Sequence, residues 1–479
     1  MRSYGGSFGG LFSLLVFVFF SYHTRILYPH EMVRSAIVCD RIPLPVSYER
    51  RTFLKKLLIL ILLLTSVAIN ASHALIHWET TYGGKEGDSV RNAALLQDGS
   101  VLLTGFGGST ELFTGRNRKV DIFVTLMDSK GQFLRSGNFG GMGEDRGYTA
   151  IQTASGDFLI AGASASTEGG RSDPRGLWDG WVIRTDPDFN IRWEKSYGGK
   201  DNDSIREIIE AKDGGYIFCG YTQSPNLENF HGGKDFWIVR LDEAGAVLWE
   251  KVYGGSGFDM AYSIAQTTDY GFVVAGYTFS SDGDLKGKTH RGNGDWWIIK
   301  LNRYGDIEWH ETYGGSGWDE PRKIAVTSDK GYIITGVTGS NDGHISGNNG
   351  RWDVWLLKLN RSGKVEWSKT FGGSDHDKAF SLTIDRRGNY FLAGYTTSSD
   401  GDVSQHHGGL DAWVLRVSAS GSLMWEHTFG TERDECAESI IQMKDGTYLF
   451  AGGVFKGKPE IAGDSGRLYE DYWIVNFQP

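Results

Sequence analysis

Residues 253–309 read YGGSGFDMAYSIAQTTDYGFVVAGYTFSSDGDLKGKTHRGNGDWWIIKLNRYGDIEW, and variants of this stretch recur along the chain. Each copy begins with an aromatic-Gly-Gly triplet, and an acidic residue follows the aromatic residue by six positions. The triplets begin at Tyr82, Phe139, Tyr197, Tyr253, Tyr313, Phe371 and Phe429, the last of them as Phe-Gly-Thr. The acidic residues are Asp88, Asp145, Asp203, Asp259, Asp319, Asp377 and Glu435. Seven copies spaced by 56 to 60 residues indicate a repeat protein.

Each copy contains four short runs with β-strand character, separated by turn residues. In the copy above, an alternating run covers 262–267 and a continuous apolar run covers 271–278. The third run opens with an aspartate, at Asp121, Asp179, Asp235, Asp295, Asp353, Asp411 and Asp471. The fourth follows a glycine-containing hairpin. Four strands in a repeat of about 40 to 60 residues are typical of β-propellers. The sequence therefore predicts an all-β fold over 75–479, a seven-bladed β-propeller of four-stranded antiparallel blades.

The two ends of the repeat region complement each other. The last copy reaches its third strand at 471–477 and then stops, whereas residues 75–82 resemble a fourth strand that has no copy before it. If this N-terminal strand pairs beside 471–477, it completes the last blade and covers its open edge. We therefore expect the ring to be closed by strand 75–82.

Twelve of the sixteen tryptophans occupy two positions of the repeat. Six lie in the third strand, at Trp181, Trp237, Trp297, Trp355, Trp413 and Trp473, and six in the fourth, at Trp78, Trp193, Trp249, Trp309, Trp367 and Trp425. A surface that stacks sugar rings is one interpretation. Packing between blades is simpler, since the same large side chain recurs in nearly every copy.

Residues 1–74 differ in character from the repeats and predict a targeting segment. Basic residues over 50–56 precede an apolar stretch at 57–69, and small residues follow at Ser72 and Ala74. This arrangement is typical of a signal peptide, because the apolar stretch is short for a membrane span. A membrane anchor is the alternative. Another apolar run at 11–20 lies upstream, which indicates that translation starts further along the chain than Met1. We expect an exported protein in the periplasm, at the cell surface or outside the cell.

The formal net charge is −10, and the repeats contain no basic cluster that offsets it. Such a surface repels phosphate backbones, which argues against a nucleic-acid partner. After cleavage of the signal peptide we expect no membrane association and a monomer. Cys219 and Cys436 lie in non-adjacent copies without CxxC spacing, and we interpret both as unpaired core residues.

The sequence motif of the repeat resembles that of the bacterial β-propeller repeat family. The resemblance rests on aromatic-Gly-Gly-x-x-x-Asp, then Ser-Ile, Gly-Tyr-Ile-x-x-Gly-Tyr-Thr and Asp-x-Trp-Ile, and it covers 75–477. It implies an exported or surface-associated interaction module and no catalytic residue. The sequence Asp242-x-x-Gly245-x-x-x-Trp249 is also similar to the tryptophan-docking motif of quinoprotein-like propellers, which implies locking of adjacent blades.

The antiparallel order places all long loops on one face, where binding residues are expected. Asp-Gly-Asp tripeptides at 282–284 and 400–402 present Asp282, Asp284, Asp400 and Asp402, which suit either a calcium ion or Asx turns. The most divergent loop carries Arg171, Asp173 and Arg175. We take these seven residues as weak ligand-binding candidates, and we expect no metal site or cofactor apart from the calcium alternative.

No nucleophile elbow, zinc-protease, P-loop or dinucleotide motif occurs in the chain. The seven repeated acidic residues are symmetric, whereas acid–base catalysis uses carboxyl groups with unlike environments. We interpret them as acceptors for the glycine turns. The leading hypothesis is a non-enzymatic propeller that binds protein or glycan through its long-loop face. The alternative is a secreted polysaccharide lyase, hydrolase or quinoprotein-type oxidoreductase with its site at the channel mouth, marked by a cluster of unlike polar residues there in only two or three blades.

Overall fold

The repeats fold into four-stranded antiparallel sheets, as the alternating and β-branched runs require. The computed structural model describes residues 74–83, 87–108, 120–167, 173–455 and 471–479. These residues form 28 β-strands and one short 3-10 helix, Gly283–Leu285. The targeting segment predicted over 1–74 lies outside the described residues, apart from Ala74.

Six blades are built from four consecutive strands each. Blade 1 contains β2 (Asp88–Leu95), β3 (Val101–Gly107), β4 (Asp121–Met127) and β5 (Phe133–Phe139); blade 2 contains β6 (Asp145–Gln152), β7 (Phe158–Ser164), β8 (Asp179–Thr185) and β9 (Ile191–Tyr197). Blade 3 contains β10 (Asp203–Glu210), β11 (Tyr216–Thr222), β12 (Asp235–Leu241) and β13 (Val247–Tyr253); blade 4 contains β14 (Asp259–Gln266), β15 (Phe272–Thr278), β16 (Asp295–Leu301) and β17 (Ile307–Tyr313). Blade 5 contains β18 (Asp319–Val326), β19 (Tyr332–Thr338), β20 (Asp353–Leu359) and β21 (Val365–Phe371); blade 6 contains β22 (Asp377–Ile384), β23 (Tyr390–Thr396), β24 (Asp411–Val417) and β25 (Leu423–Phe429).

The seventh blade joins the two ends of the repeat region. It contains β26 (Glu435–Gln442), β27 (Tyr448–Val454), β28 (Asp471–Gln478) and, as its fourth strand, β1 (Leu75–Tyr82). Strand β1 pairs with β28 in antiparallel register from Leu75 opposite Gln478 to Tyr82 opposite Tyr472. Blade 7 also contacts blade 1, where the backbone N–H of Ala93 donates to Ser439 Oγ over 3.1 Å. The predicted seven-bladed fold and its closure by the N-terminal strand are confirmed.

The first strand of every blade lies next to the central axis. Consecutive first strands bond directly to each other, as where Ile264 N–H donates to Glu207 over 2.9 Å and Ile324 N–H donates to Ser263 over 3.2 Å. An ion pair between Lys323 and Glu207 joins blades 5 and 3 past blade 4. The first strands therefore surround a central channel.

A β-bulge interrupts each first strand at its fourth residue. In β14 the register shifts between Ala261 and Ser263, so Tyr262 has no partner in the regular ladder of β15. The equivalent shift occurs in all seven first strands. Bulges change the direction of a side chain. This is one of the first-strand positions at which the side chain differs from blade to blade.

The repeated tryptophans pack between the blades. Those of the third strand, such as Trp237 and Trp297, are fully buried. Those of the fourth strand lie against the hairpin of the next blade: a Cβ added to Gly305 would lie 2.9 Å from the Trp249 ring. Next to it, the Tyr253 hydroxyl donates to the Gly305 carbonyl over 2.6 Å. The packing interpretation is confirmed.

Cys219 in blade 3 and Cys436 in blade 7 are both buried. Burial raises the pKa of the Cys219 thiol well above its ordinary value. Their interpretation as core residues is confirmed. Within the described ranges, no helix is long and apolar enough to cross a membrane.

Candidate functional site

The long-loop face consists of the links between blades, such as 253–258, and the loops between second and third strands, such as 279–294. Each link is held by its repeated carboxylate. Asp319 is fully buried and accepts hydrogen bonds from Gly315 N–H over 2.8 Å, the Thr338 hydroxyl over 2.5 Å and the Ser340 hydroxyl over 2.9 Å. The same glycine bond is made by Asp145, Asp203, Asp259 and Asp377. These carboxylates hold the glycine turns, as the sequence interpretation expects.

The aspartate that opens each third strand approaches the same turn from the other side. Asp235 accepts the His231 N–H on one oxygen over 2.6 Å, while its buried Oδ1 has no hydrogen-bond donor among the described atoms. A Cβ added to Gly254 would lie 2.2 Å from this Oδ1 and 2.9 Å from Asp259 Oδ2, so two carboxylates flank one glycine. Burial, together with the charge of Asp259, raises the pKa of Asp235 to about 7.

Two other third-strand aspartates share this environment. Burial, together with the charge of Asp145, raises the pKa of Asp121 to about 7. Burial, together with the charges of Asp377 and Asp402, raises the pKa of Asp353 to about 7. A buried carboxyl group with this pKa is half-protonated near neutral pH, so the links contain groups that change charge in the physiological range.

The predicted loop aspartates cap the same links. Asp282 accepts Ser256 N–H over 2.8 Å, and Asp284 accepts Gly254 N–H over 3.0 Å. Asp400 and Asp402 repeat both contacts in the link between blades 5 and 6, with Ser374 over 2.7 Å and Gly372 over 3.2 Å. In the link between blades 4 and 5, His344 takes the place of the second aspartate, and its Nδ1 accepts Gly314 N–H over 3.2 Å.

These contacts are those of turn-capping side chains. Among the residues that the structure describes, no group of three or more His, Cys, Asp or Glu is arranged to hold a metal ion. Calcium binding by Asp282, Asp284, Asp400 or Asp402 stays a prediction. The hydrogen bonds that these side chains accept come from the link 26 or 30 residues earlier in the chain, so they are not the local bonds of Asx turns.

The divergent loop of blade 2 contributes an exposed pair. Arg175 and Asp173 contact each other over 3.2 Å at the surface, and the Arg175 N–H donates to Asp179 over 2.7 Å. Arg171 lies outside the described residues. Ligand binding by this loop stays a prediction.

The bulge positions form a set that the sequence analysis missed, which we call the channel ring. Its members, in order from blade 1 to blade 7, are Arg91, Tyr148, Arg206, Tyr262, Arg322, Phe380 and Glu438. The repeat is symmetric at its aspartates and glycines, but this ring mixes three cations, three aromatic rings and one carboxylate. It supplies the unlike side chains around the channel that a recognition site needs.

Neighbours in the channel ring contact each other across the blades. The Arg206 guanidinium lies 4.4 Å from the Tyr148 ring centroid and 5.7 Å from that of Tyr262. The Arg322 guanidinium lies 4.7 Å from the Tyr262 ring centroid and 5.3 Å from that of Phe380. Arg91 forms a 2.9 Å ion pair with Glu438. Alternating cations and aromatic faces hold the ring in place.

Further cations and aromatic rings lie two residues nearer the long-loop face. The Arg146 guanidinium lies 5.2 Å from the Trp178 ring centroid. The Lys378 ammonium lies 4.9 Å from Trp318 and 4.5 Å from Trp352. These are two separate groups, one in blade 2 and one between blades 5 and 6, and we call them together the mouth cluster: Arg146, Trp178, Trp318, Trp352 and Lys378.

The sequence contains signals for both sets. The second to fifth residues of the first strand vary among the copies, whereas the first is always acidic and the sixth always apolar. Such variation between repeated positions indicates side chains that are not fixed by the turn or by the core. Trp178, Trp318 and Trp352 likewise belong to the four tryptophans outside the two repeat positions. The fourth of them, Trp296, is fully buried.

The comparisons with known proteins name no family for this chain. No family model matches the chain. The regulatory protein FlaEY of Caulobacter vibrioides is 23% identical over 354 residues, which are 64% of this chain and 36% of FlaEY. The chain therefore spans about a third of that relative.

Solved structures of low identity resemble most of the chain. BamB of Moraxella catarrhalis is 10% identical with a TM-score of 0.38, covering 85% of this chain and 100% of BamB. The β-propeller domain of the Trilobed protease of Pyrococcus furiosus is 9% identical with a TM-score of 0.42, covering 79% of this chain and 97% of that domain.

Proposed function

We propose that this protein is an exported, monomeric, non-enzymatic binding propeller that captures a protein or glycan ligand on its long-loop face, at the mouth of the central channel. In this proposal residues 1–74 direct export and are removed, and the propeller acts as the mature protein. Asp282, Asp284, Asp400 and Asp402 keep the face rigid, and Arg171, Asp173 and Arg175 are further candidates for ligand contact.

The channel ring carries this proposal. Seven equivalent positions present unlike side chains to one channel, while the surrounding turns are locked by identical carboxylates. A rigid frame with variable side chains at one position is the arrangement of a recognition surface. The regulatory name of the FlaEY relative is consistent with an interaction role for the shared region, although that protein extends well beyond it.

The test uses the immobilised protein and bacterial cell-envelope extract, separated into polysaccharide and protein fractions. Arg206→Met combined with Arg322→Met removes two ring cations and keeps apolar stems. The matched control is Lys195→Met, because Lys195 lies 5.9 Å from Trp193 on an outer strand. We expect one fraction to be retained by the wild type and the control and lost by the ring variant, with circular dichroism showing the same β-sheet fold in all three proteins at the temperature of the assay.

The same experiment separates binding from catalysis. Mass spectrometry of the retained ligand before and after overnight incubation should show an unchanged mass. A product of altered mass would overturn the non-enzymatic proposal in favour of the secreted lyase, hydrolase or oxidoreductase. Retention by the ring variant equal to that of the wild type would show that binding does not use the channel.

A further inference from the structure

We propose that the mouth cluster binds uronic-acid residues of an acidic polysaccharide, with an indole against the sugar ring and the neighbouring cation paired with its carboxylate. This inference deepens the proposed function and rests on it. It goes further by naming the chemistry of the ligand: a pyranose ring that carries a carboxylate.

The first observation is the pair of tryptophans around Lys378. The Trp318 and Trp352 rings lie 5.2 Å apart at 62°, and the Lys378 ammonium is within 5 Å of both ring centroids. Lys378 is only 4% exposed, whereas both tryptophans keep part of their surface accessible. The charge is thus held in a fixed position beside two flat apolar surfaces, at the end of strand β22 that follows the link between blades 5 and 6.

The second observation is the same combination in another blade. Arg146 occupies in β6 the position that Lys378 occupies in β22, and its guanidinium lies beside Trp178, which is partly exposed. The fixed fork of a guanidinium matches a carboxylate, and Arg146 already contacts Glu144 over 3.1 Å in this way. One indole–cation group in blade 2 and another between blades 5 and 6 suit a ligand with repeated units, of which more than one can be held at once.

Positive charge exceeds negative charge among the first-strand side chains near the axis. The second, fourth and fifth residues of these strands contribute six cations and three carboxylates, which are Arg91, Arg146, Arg206, Arg322, Lys323, Lys378, Glu207, Glu320 and Glu438. The three carboxylates pair with Lys323, Arg322 and Arg91, and Arg146 pairs with Glu144. In a chain of net charge −10 the remaining difference is a local excess of positive charge. Such a patch favours encounter with an anionic ligand and suppresses cationic ones.

The pairing of charge and flat surface favours uronic acids over other anions. An aromatic side chain offers a large apolar face, and a pyranose presents a face of C–H groups that fits it. In a uronic acid the carboxylate is attached directly to that ring, so one residue can contact an indole and a cation about 5 Å away. An acidic peptide supplies carboxylates on flexible stems without such a face, so only half of each pair would be used.

The test measures binding of trigalacturonic acid to the full chain by isothermal titration calorimetry at low salt. Lys378→Met and Arg146→Met remove the charges and keep apolar stems, and Lys195→Met again serves as the control, since it removes a cation beside an outer tryptophan. We expect each mouth variant to weaken binding by about tenfold or more and the control to leave it unchanged. The methyl ester of the trisaccharide should bind at least as weakly as the variants.

Three results would overturn this inference. These are absence of binding by trigalacturonic acid, equal binding of its methyl ester, and preference for hexaglutamate, which would indicate an acidic peptide instead. If one of these occurs while the Arg206/Arg322 variant still loses the envelope ligand, the uronic-acid inference fails and the proposed function stands. If the envelope ligand is also retained by that variant, both fail.

Discussion

The indole N–H of Trp473 donates to the Glu79 carboxylate over 3.2 Å, although 394 residues separate the two in sequence. Within blade 3 the same bond joins Trp237 to Glu250 over 2.7 Å, and there the partners are 13 residues apart. The closing blade thus reproduces the bonding of a continuous blade with strands from opposite ends of the chain. The ring is held by strand pairing and by a side-chain contact that the repeat already uses.

Removal of the closing strand should therefore destabilise the propeller. A chain that begins at residue 84 loses the whole β1–β28 ladder and exposes the β28 edge, which invites association. We expect a melting temperature lower by about 10 °C or more, measured by circular dichroism, together with concentration-dependent aggregation. A chain that begins at Leu75 should melt like the full-length protein. Equal melting of both truncated chains would show that closure contributes little to stability.

The link carboxylates should contribute more to stability than the loop aspartates. Asp319→Ala leaves the Gly315 N–H and two hydroxyl groups without their buried acceptor, and each unmet donor costs about 1 kcal/mol or more. We expect a loss of about 3 kcal/mol in the free energy of unfolding. Asp282→Ala removes one exposed bond to Ser256 and should cost about 1 kcal/mol or less. Urea unfolding of the two variants checks this order, which a larger loss for Asp282→Ala would contradict.

The fold could be predicted in detail because its determinants repeat. The glycine turns, the acidic residue six positions on and the tryptophans of two strands each occur several times, so their common role is packing or turn formation. The unpaired strand at 75–82 then required a partner, and 471–477 was the strand that lacked one. Each of these inferences rests on a backbone or core requirement that holds in every blade.

The site could not be predicted in the same way because it lies where the repeat stops repeating. Arg206 and Tyr262 occupy the same position in successive copies of the repeat but differ in chemistry. They also lie far apart in the linear sequence. The bulge that brings them together breaks the alternation from which strand faces are read. The charged loop tripeptides attracted notice instead, yet Asp284 and Asp402 contact turn backbone. Charged residues close together in a loop therefore indicated the candidate site less well than did the positions at which the repeated copies differ.

Calcium should have little effect on the stability of this propeller. Asp284 and Asp402 already accept hydrogen bonds from the N–H groups of Gly254 and Gly372. These donors satisfy the carboxylates in the absence of a cation. We expect the melting temperature to change by less than about 1 °C between an excess of EDTA and millimolar calcium, in calorimetric scans of the full chain. A calcium-dependent rise that Asp284→Asn combined with Asp402→Asn abolishes would show instead that these residues bind the ion.

Protonation of the link aspartates should make stability depend on pH. A carboxyl group whose pKa is raised in the folded state binds its proton more tightly there than in the unfolded chain. The folded protein therefore gains stability from it as the pH falls from 7 towards 4 and loses that contribution as the pH rises through 7. Other groups act differently. Burial lowers the pKa of His344, so this group makes the folded protein less stable as the pH falls. Burial raises the pKa of Asp329, but hydrogen bonds from Lys358 and Thr327 outweigh this effect and lower it to about 2, so this group also favours the folded state less in acid.

The comparison of Asp235→Asn with the wild type isolates one such group. At pH 5 the wild-type carboxyl is protonated and resembles the amide, whereas at pH 8 it is ionised beside Asp259 without a donor for Oδ1 among the described atoms. The stability of the variant relative to the wild type should therefore rise between pH 5 and pH 8, by about 1 kcal/mol or more. Hydrogen bonds from Lys251 and Asn302 lower the pKa of the exposed Asp306, so Asp306→Asn should give a constant difference over this range. Urea unfolding at four pH values checks both, and a flat difference for Asp235→Asn would show that this carboxyl group is ionised throughout.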